Sequence, residues 1–346
     1  MLDFPITTFD AEKPLTKKDF ASASEVRWCP GCGDYAILAT LQRFLPELKV
    51  PRENLVMVSG IGCAARFPYY METYGMHTVH GRAPAVATGL KVMRPELEVW
   101  VISGDGDSLS IGGNHTLHAI RRNVNIKIML FNNEIYGLTK GQYSPASEKG
   151  KITKSSPFGS IDEPVNPAAF ALGSGSAFFA RTVDVNPKHM MDVFRRAHAH
   201  QGACYIEILQ NCVVFNDGAH EAASNKKTRA QNTIELQHGE PMLFDNGNKG
   251  IGFDANTRRP IILDLEKDPS LKEQVVVHDE KDETGSHAWM LAHMTLPEFP
   301  VPVGVFKAIE SPAYDAELVD TTKSLTSKTK KDLQAIFEAG DVWDVD

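Results

Sequence analysis

Two short apolar runs, Leu97 to Ile102 and Ile126 to Phe131, stand on either side of a stretch that reads as one helix, Ser108 to Arg122. Each run is short enough for a buried strand, and Leu109, Leu117 and Ile120 take inward positions on the helix between them. Strand, helix, strand in this order gives two strands whose C-terminal ends point the same way. The first ends in Gly104-Asp105-Gly106-Asp107 and the second in Asn132-Asn133. Oxygen ligands therefore gather outside the carboxyl ends of the strands, where open α/β sheets hold their ligands.

The same alternation extends along the chain. Strands are expected at Leu55 to Val58, His77 to His80, Phe178 to Val183 and Tyr205 to Leu209. Helices are expected at Asp34 to Leu48, from Gly81-Arg82-Ala83 through Met93, at Pro167 to Leu172 and at Pro187 to His200. This predicts an α/β fold, a parallel sheet with helices on both faces. Residues 1–24 are polar and read as an N-terminal arm, and 25–215 as the main domain. Residues 216–346 read as an irregular, β-rich C-terminal arm or subdomain. Residues 144–166 form a long Ser/Pro/Lys-rich surface loop, a lid or a partner contact. Within the C-terminal part, 287–294 and 323–339 look helical, and Lys272 to Glu283 looks exposed. PEFPVPVGVF carries too much proline for a central strand.

The net charge of −8 argues against a grip on nucleic acid through phosphate neutralisation. No apolar run has the length of a membrane span, and the N-terminus lacks a signal pattern, so a soluble cytoplasmic chain is expected. Five cysteines make a disulfide framework a poor reading in that setting.

The acidic turn suits a metal-held diphosphate. Mg²⁺ takes near-octahedral oxygen ligands: Asp105 offers a carboxylate, Asn133 a side-chain carbonyl and Ile135 a main-chain carbonyl. The glycines flanking Asp105 let backbone amides approach phosphate. The asparagine lies 28 residues beyond Asp105, which makes the pair more specific than the glycine turn alone. The cysteines suggest a second centre. Cys29 and Cys32 are spaced to point at one metal centre, Cys63 follows a strand beside glycines, and Cys212 follows another strand. Cys204 lies inside an apolar run and reads as core. Spacing alone leaves structural zinc and a [4Fe–4S] cluster nearly level.

Taken together, GDG with its downstream NN, WCPGCGD at 28–34, GIGC at 60–63, HGRA at 80–83, GNHTLHAIRRN at 113–123 and LTKGQYSP at 138–145 resemble one family. It is the β subunit of the 2-oxoacid:ferredoxin oxidoreductases, most closely the 2-oxoglutarate enzymes. The resemblance is strong over about 20–220 and weaker beyond. It implies thiamine diphosphate and Mg²⁺ on Asp105, Asn133 and Ile135, and a [4Fe–4S] cluster on Cys29, Cys32, Cys63 and Cys212. It implies further cofactor contacts at Ile61, Gly62, Cys63, Ala64, His80, Gly106, Asp107, Gly137 and Leu138. Arg66 would bind a substrate carboxylate, and His80 would act at the cofactor. No stretch here suits the aminopyrimidine side of thiamine diphosphate. A partner α subunit is therefore expected to supply a glutamate and the coenzyme A site, in a dimer of heterodimers that passes electrons to ferredoxin. The implied reaction is oxidative decarboxylation of 2-oxoglutarate with coenzyme A to succinyl-CoA and carbon dioxide, or its reverse. The alternatives are pyruvate or another 2-oxoacid as substrate, a non-redox thiamine enzyme with structural zinc, and a cluster-bearing electron-transfer subunit without catalysis.

Overall fold

The computed structural model describes residues 14–257, 259–328, 333–341 and 343. The first thirteen residues of the expected N-terminal arm lie outside the described residues, as do residues 329–332 of the expected tail helix.

Among the described residues, eight strands form the main sheet: β1 (Leu55–Ser59), β2 (Tyr74–His77), β3 (Glu98–Gly104), β4 (Lys127–Asn132), β5 (Phe178–Val183), β6 (Cys204–Leu209), β7 (Thr233–Leu236) and β11 (Val301–Ala308). Their order is β2-β1-β3-β4-β6-β5-β11-β7, parallel throughout except where β11 meets β5. A separate antiparallel sheet holds β8 (Leu243–Phe244), β9 (Lys249–Asp254) and β10 (Arg259–Asp264).

The strand residues sort strictly by parity. Val99, Val101, Ile128, Leu130 and Phe179 join one core, whereas Trp100, Ile102, Met129, Phe131 and Phe178 join the other. Successive side chains point to opposite faces, so a strand apolar at every position is covered on both sides. α1 (Asp34–Phe44) and α5 (Pro187–Ala199) cover the second face; α2 (Ala83–Met93), α3 (Gly113–Arg121) and α4 (Pro167–Gly173) cover the first.

Register aligns the strand ends. Ser59 pairs with Ile102, Gly104 with Phe131, and Asn132 with Leu209. The chain leaves β1 toward β2 on one side, and β3 returns on the other, so the crevice between β1 and β3 is a topological switch point.

Four expectations are corrected. The strand expected at 77–80 lies at Tyr74–His77, because Ser59, its partner on β1, is the last residue of that strand. His80 therefore sits in the turn that follows. The helix expected over 108–122 is broken: a π-type turn, Asp107–Ile111, precedes α3, with Ser110 far from helical geometry (ψ −105°). Gly112 here comes so close to Gly81 that a Cβ on Gly81 would meet the Gly112 nitrogen at 2.5 Å. The proline-rich segment does form an interior strand, β11. Pro302 precedes the ladder to β5, which begins at Gly304, so its missing N–H breaks no bond there. Residues 272–283 are partly buried: His278 Nε2 donates to the Val305 carbonyl (2.8 Å), and Glu280 pairs with Arg196 (2.5 Å).

Candidate cofactor and cluster site

Three segments close a small cavity of about 70 Å³ at the carboxyl edge of the sheet. They are the loop after β1 with Ile61, Gly62, Cys63 and Ala64; the turn after β3 from Gly104 to Asp107; and the run from Asn133 to Thr139 after β4, with Glu134 not lining the cavity. His80 completes the wall. Every residue expected at the cofactor lines this one cavity, as do all three expected Mg²⁺ ligands.

Asp105 is buried, 2 % exposed, and accepts from Ser144 Oγ at 2.5 Å. It makes no ion pair among the described residues. Burial pushes its carboxyl up to about 7, against the pull of Ser144 and nearby amides. Its neighbour Glu134 is pushed up to about 8, first by burial and then by Asp105. A buried carboxylate without a cation is what a divalent ion would satisfy. Asn133 is oriented for the same task. Its amide nitrogen donates to Gln210 Oε1 (2.8 Å), which fixes the oxygen on the other side. That oxygen takes only the Ile135 amide, at 3.2 Å, and keeps a lone pair. The donor set fits a hard cation.

Glycine at 106 is required by packing. A Cβ there would fall 2.0 Å from the Tyr136 ring, whose hydroxyl donates to the Gly106 carbonyl at 3.1 Å. Asp107 is 2 % exposed and ties three segments together: one carboxylate oxygen takes the Ile61 amide (3.1 Å), the Gly81 amide (2.7 Å) and His80 Nδ1 (2.5 Å), the other Ser103 Oγ (2.5 Å).

The thiols meet at an adjoining cavity of about 220 Å³, lined by Cys29, Cys32, Cys63 and Cys212. The Gly33 amide bonds to the Asn211 carbonyl (3.2 Å), which draws the Cys-x-x-Cys turn to the end of β6. Trp28 Nε1 bonds to the Cys63 carbonyl (2.7 Å), which ties it to the loop after β1. Burial pushes the Cys63 thiol up to about 12 and the Cys32 thiol higher, with buried Asp34 adding to both. Those two sulfurs lose their protons readily only to metal. Four thiols line this one cavity, the ligand type of a soft-metal centre, although among the described residues no three of them close on a single ion. Gly137 lies between two of the thiols: a Cβ there would be in ordinary contact, 3.6 Å, with both the Cys63 and the Cys212 sulfur. Cys204 is fully buried in the core and lies apart from this group, as its place in an apolar run indicated.

Arg66 borders the thiol cavity and also a larger one of about 440 Å³, which Arg27, Tyr69, His77 and Leu138 share. Its guanidinium reaches the Arg27 carbonyl at 3.4 Å. Sequence reading missed Ser144, Tyr136, Trp28 and Arg27. Trp28 and Arg27 adjoin the Cys-x-x-Cys turn, a signal that was present; Ser144 comes to Asp105 across 39 residues, and local pattern carries no trace of that.

Residues 60–208 match the thiamine pyrophosphate enzyme C-terminal TPP binding domain. The chain is 46 % identical to the 2-oxoglutarate oxidoreductase subunit KorB of Mycobacterium tuberculosis, over 97 % of this chain and 90 % of that one. This chain belongs to the family of 2-oxoacid:ferredoxin oxidoreductase β subunits. It is thus a subunit of an oxidoreductase with a thiamine-diphosphate-binding domain. A 2-oxoacid:ferredoxin oxidoreductase β subunit of Aeropyrum pernix is 44 % identical over 55 % of this chain and 60 % of its own length. A 2-oxoglutarate:ferredoxin oxidoreductase from Magnetococcus marinus, with 2-oxoglutarate, coenzyme A and succinyl-CoA bound, superimposes with a TM-score of 0.76 at 31 % identity. That match covers 96 % of this chain and 99 % of the other. Within this oxidoreductase family the matched thiamine domain runs from the loop after β1 to β6. Cys63 falls inside it, whereas Cys29, Cys32 and Cys212 flank it.

Proposed function

We propose that this chain is the β subunit of a 2-oxoglutarate:ferredoxin oxidoreductase. It would convert 2-oxoglutarate and coenzyme A to succinyl-CoA and carbon dioxide, with reductive carboxylation as the reverse, and pass electrons through a [4Fe–4S] cluster to ferredoxin. One observation carries the reading: the Asp105 cavity and the four-thiol cavity share a wall. Cys63, Asn133, Gly137 and Leu138 line both. A thiamine enzyme that removes electrons needs an acceptor beside the cofactor, and a non-redox one does not.

Asp105, Asn133 and the Ile135 carbonyl would hold Mg²⁺, and Cys29, Cys32, Cys63 and Cys212 the cluster. When bound, thiamine diphosphate supplies the carbanion that makes decarboxylation feasible, and the cluster accepts single electrons. This chain's residues position and enclose. The turn from Gly104 to Asp107 would present main-chain groups to the diphosphate, and Gly62, Ala64 and Leu138 line the same cavity. Arg66 offers a planar fork to a substrate carboxylate in the 440 Å³ cavity. His80, bonded through Nδ1 to Asp107, keeps Nε2 for the cofactor pocket. A cytoplasmic partner α subunit supplies the pyrimidine-side glutamate and the coenzyme A site, in a dimer of heterodimers. Residues 25–215 would hold both centres, while β11 and β7, from the stretch 216–346, extend the same sheet beyond β5.

Anaerobic purification with the partner chain, followed by iron, sulfide, zinc and thiamine analysis, tests the reading. About four irons and one thiamine diphosphate per chain are expected. Zinc without iron would refute the redox assignment. Substrate choice is tested by Arg66→Met: a larger loss of kcat/KM for 2-oxoglutarate than for pyruvate is expected, and equal losses would point to another 2-oxoacid.

A further inference from the structure

Asp107 presents a puzzle if it is read as a cofactor contact. Its carboxylate is 2 % exposed and takes four protein donors, three on one oxygen and Ser103 on the other. Most of its hydrogen-bonding capacity is thus spent inside the protein. The donors come from separate parts of the site: Ser103 from β3, the Ile61 amide from the loop that carries Cys63, and His80 with Gly81 from the turn after β2. The site is built around this contact. A Cβ on Gly60 would lie 1.8 Å from the second carboxylate oxygen, so the loop after β1 reaches Asp107 only because residue 60 is glycine.

The His80 bond has a chemical consequence. A carboxylate accepts, so Nδ1 must carry the proton. The ring nitrogens are distinct, and fixing one defines the other. Nε2 lies on the opposite edge of a ring that is 36 % exposed and borders the cofactor cavity. We propose that Asp107 is a positioning residue: it sets the tautomer and orientation of His80, and so makes His80 Nε2 the atom that meets the diphosphate-bearing cofactor. The inference rests on the thiamine-dependent reading above. Asp107 then acts through His80, and the three other bonds hold Asp107 itself still.

Asp107→Asn is a mild probe. The Ile61 and Gly81 amides both donate to the oxygen that also meets His80, so they hold the Asn oxygen in that place. The new NH₂ group faces Ser103 Oγ, which can turn to accept and donate instead to the Gly104 carbonyl, 3.4 Å away. The hydrogen bond to His80 survives but loses its charge assistance, which is about half its strength.

The test is a double-mutant cycle on the enzyme assembled with its partner chain: wild type, Asp107→Asn, His80→Ala and both together. Calorimetry gives the affinity for Mg²⁺–thiamine diphosphate, and steady-state kinetics give kcat and KM for 2-oxoglutarate. Asp107→Asn is expected to lower affinity and kcat by up to about tenfold, because the weakened bond holds His80 less firmly in its tautomer and orientation, with KM for the 2-oxoacid within about twofold. In the His80→Ala background the same change is expected to move neither value by more than about twofold. Additive losses would overturn the proposal, because they would give Asp107 an effect independent of His80. Ser103→Ala is the second variant: it removes a bond to the carboxylate but leaves the His80 bond. Catalysis within about threefold of wild type supports the proposal, and a loss equal to that of Asp107→Asn refutes it. If wild-type enzyme binds no thiamine diphosphate in the calorimeter, the functional reading itself fails, an outcome distinct from an additive cycle.

Discussion

Replacing Asp105 by asparagine should do two opposite things. In the metal-free enzyme Asp105 is a liability, since burial lifts its carboxyl from an ordinary 3.8 to about 7. Three units correspond to about 4 kcal/mol, and this is an upper limit because an asparagine NH₂ would face the main-chain amides that now donate to the carboxylate. The folded-state value is the raised one. The native state therefore holds the proton more tightly than the unfolded chain, and the penalty develops as pH rises from near 4 to near 7. Asparagine has nearly the same shape and keeps an oxygen for Ser144 Oγ, at 2.5 Å in the wild type. At pH 8, after chelation of Mg²⁺, Asp105→Asn should raise the urea midpoint by the equivalent of up to about 4 kcal/mol. At pH 4.5 the gain should fall to about 1 kcal/mol, because the unfolded carboxyl is still mostly ionised there while the folded one is protonated. With Mg²⁺ and thiamine diphosphate present the order should reverse, because the wild type gains binding energy that the variant has lost. Equal stability of the two proteins at pH 8 without metal, or a gain independent of pH, would refute the account of Asp105 as an uncompensated buried ligand.

Cys212→Ser should lose cluster iron and the visible absorbance that accompanies it, whereas Cys204→Ala should keep both. The latter should cost about 1–2 kcal/mol in denaturation, as a small core cavity does. Gly106→Ala should reduce cofactor affinity at least tenfold in calorimetry, since its Cβ would enter the Tyr136 ring at 2.0 Å. Adding Tyr136→Ala should recover part of that loss. His278 is fully buried, donates to the Val305 carbonyl and is held down to about 4 by burial. Its folded value lies below the unfolded 6.5, so stability should fall as pH drops from 6.5 toward 4. His278→Gln should flatten that slope in urea titrations.

The strand-helix-strand around the acidic turn was legible because burial on both faces leaves continuous apolar runs that need no distant information. Asp105, Asn133 and the four cysteines were legible for a related reason: each stands just beyond such a run or in a tight glycine turn. The failures have physical causes too. Gly112 and Ser110 look tolerable in a helix, and the break there depends on Gly81 packing against the turn, a contact made 31 residues apart in sequence. Pro302 argued against an interior strand, but a strand's two neighbours need not begin at the same residue, and here the β5 ladder starts later. His80 was visible as a lone histidine, yet its distinction lies in the bond to Asp107, which lies 27 residues on.

The placement of the two cavities side by side follows from register more than from any special motif. Parallel strands that stop in step must release their loops at one edge, and here β1, β3, β4 and β6 stop within three residues of one another. β1 delivers Cys63, β3 delivers Asp105, β4 delivers Asn133 and β6 delivers Cys212. The two ligand sets alternate along the edge, and Gly137 lies between them, with both the Cys63 and the Cys212 sulfur 3.6 Å from where its Cβ would be, an ordinary contact distance. Direct adjacency is what single-electron chemistry on a bound 2-oxoacid requires, and a strand slipped by one residue would turn each ligand-bearing loop away from the shared wall. The sheet that buries the core is therefore also the device that sets the distance between the two centres.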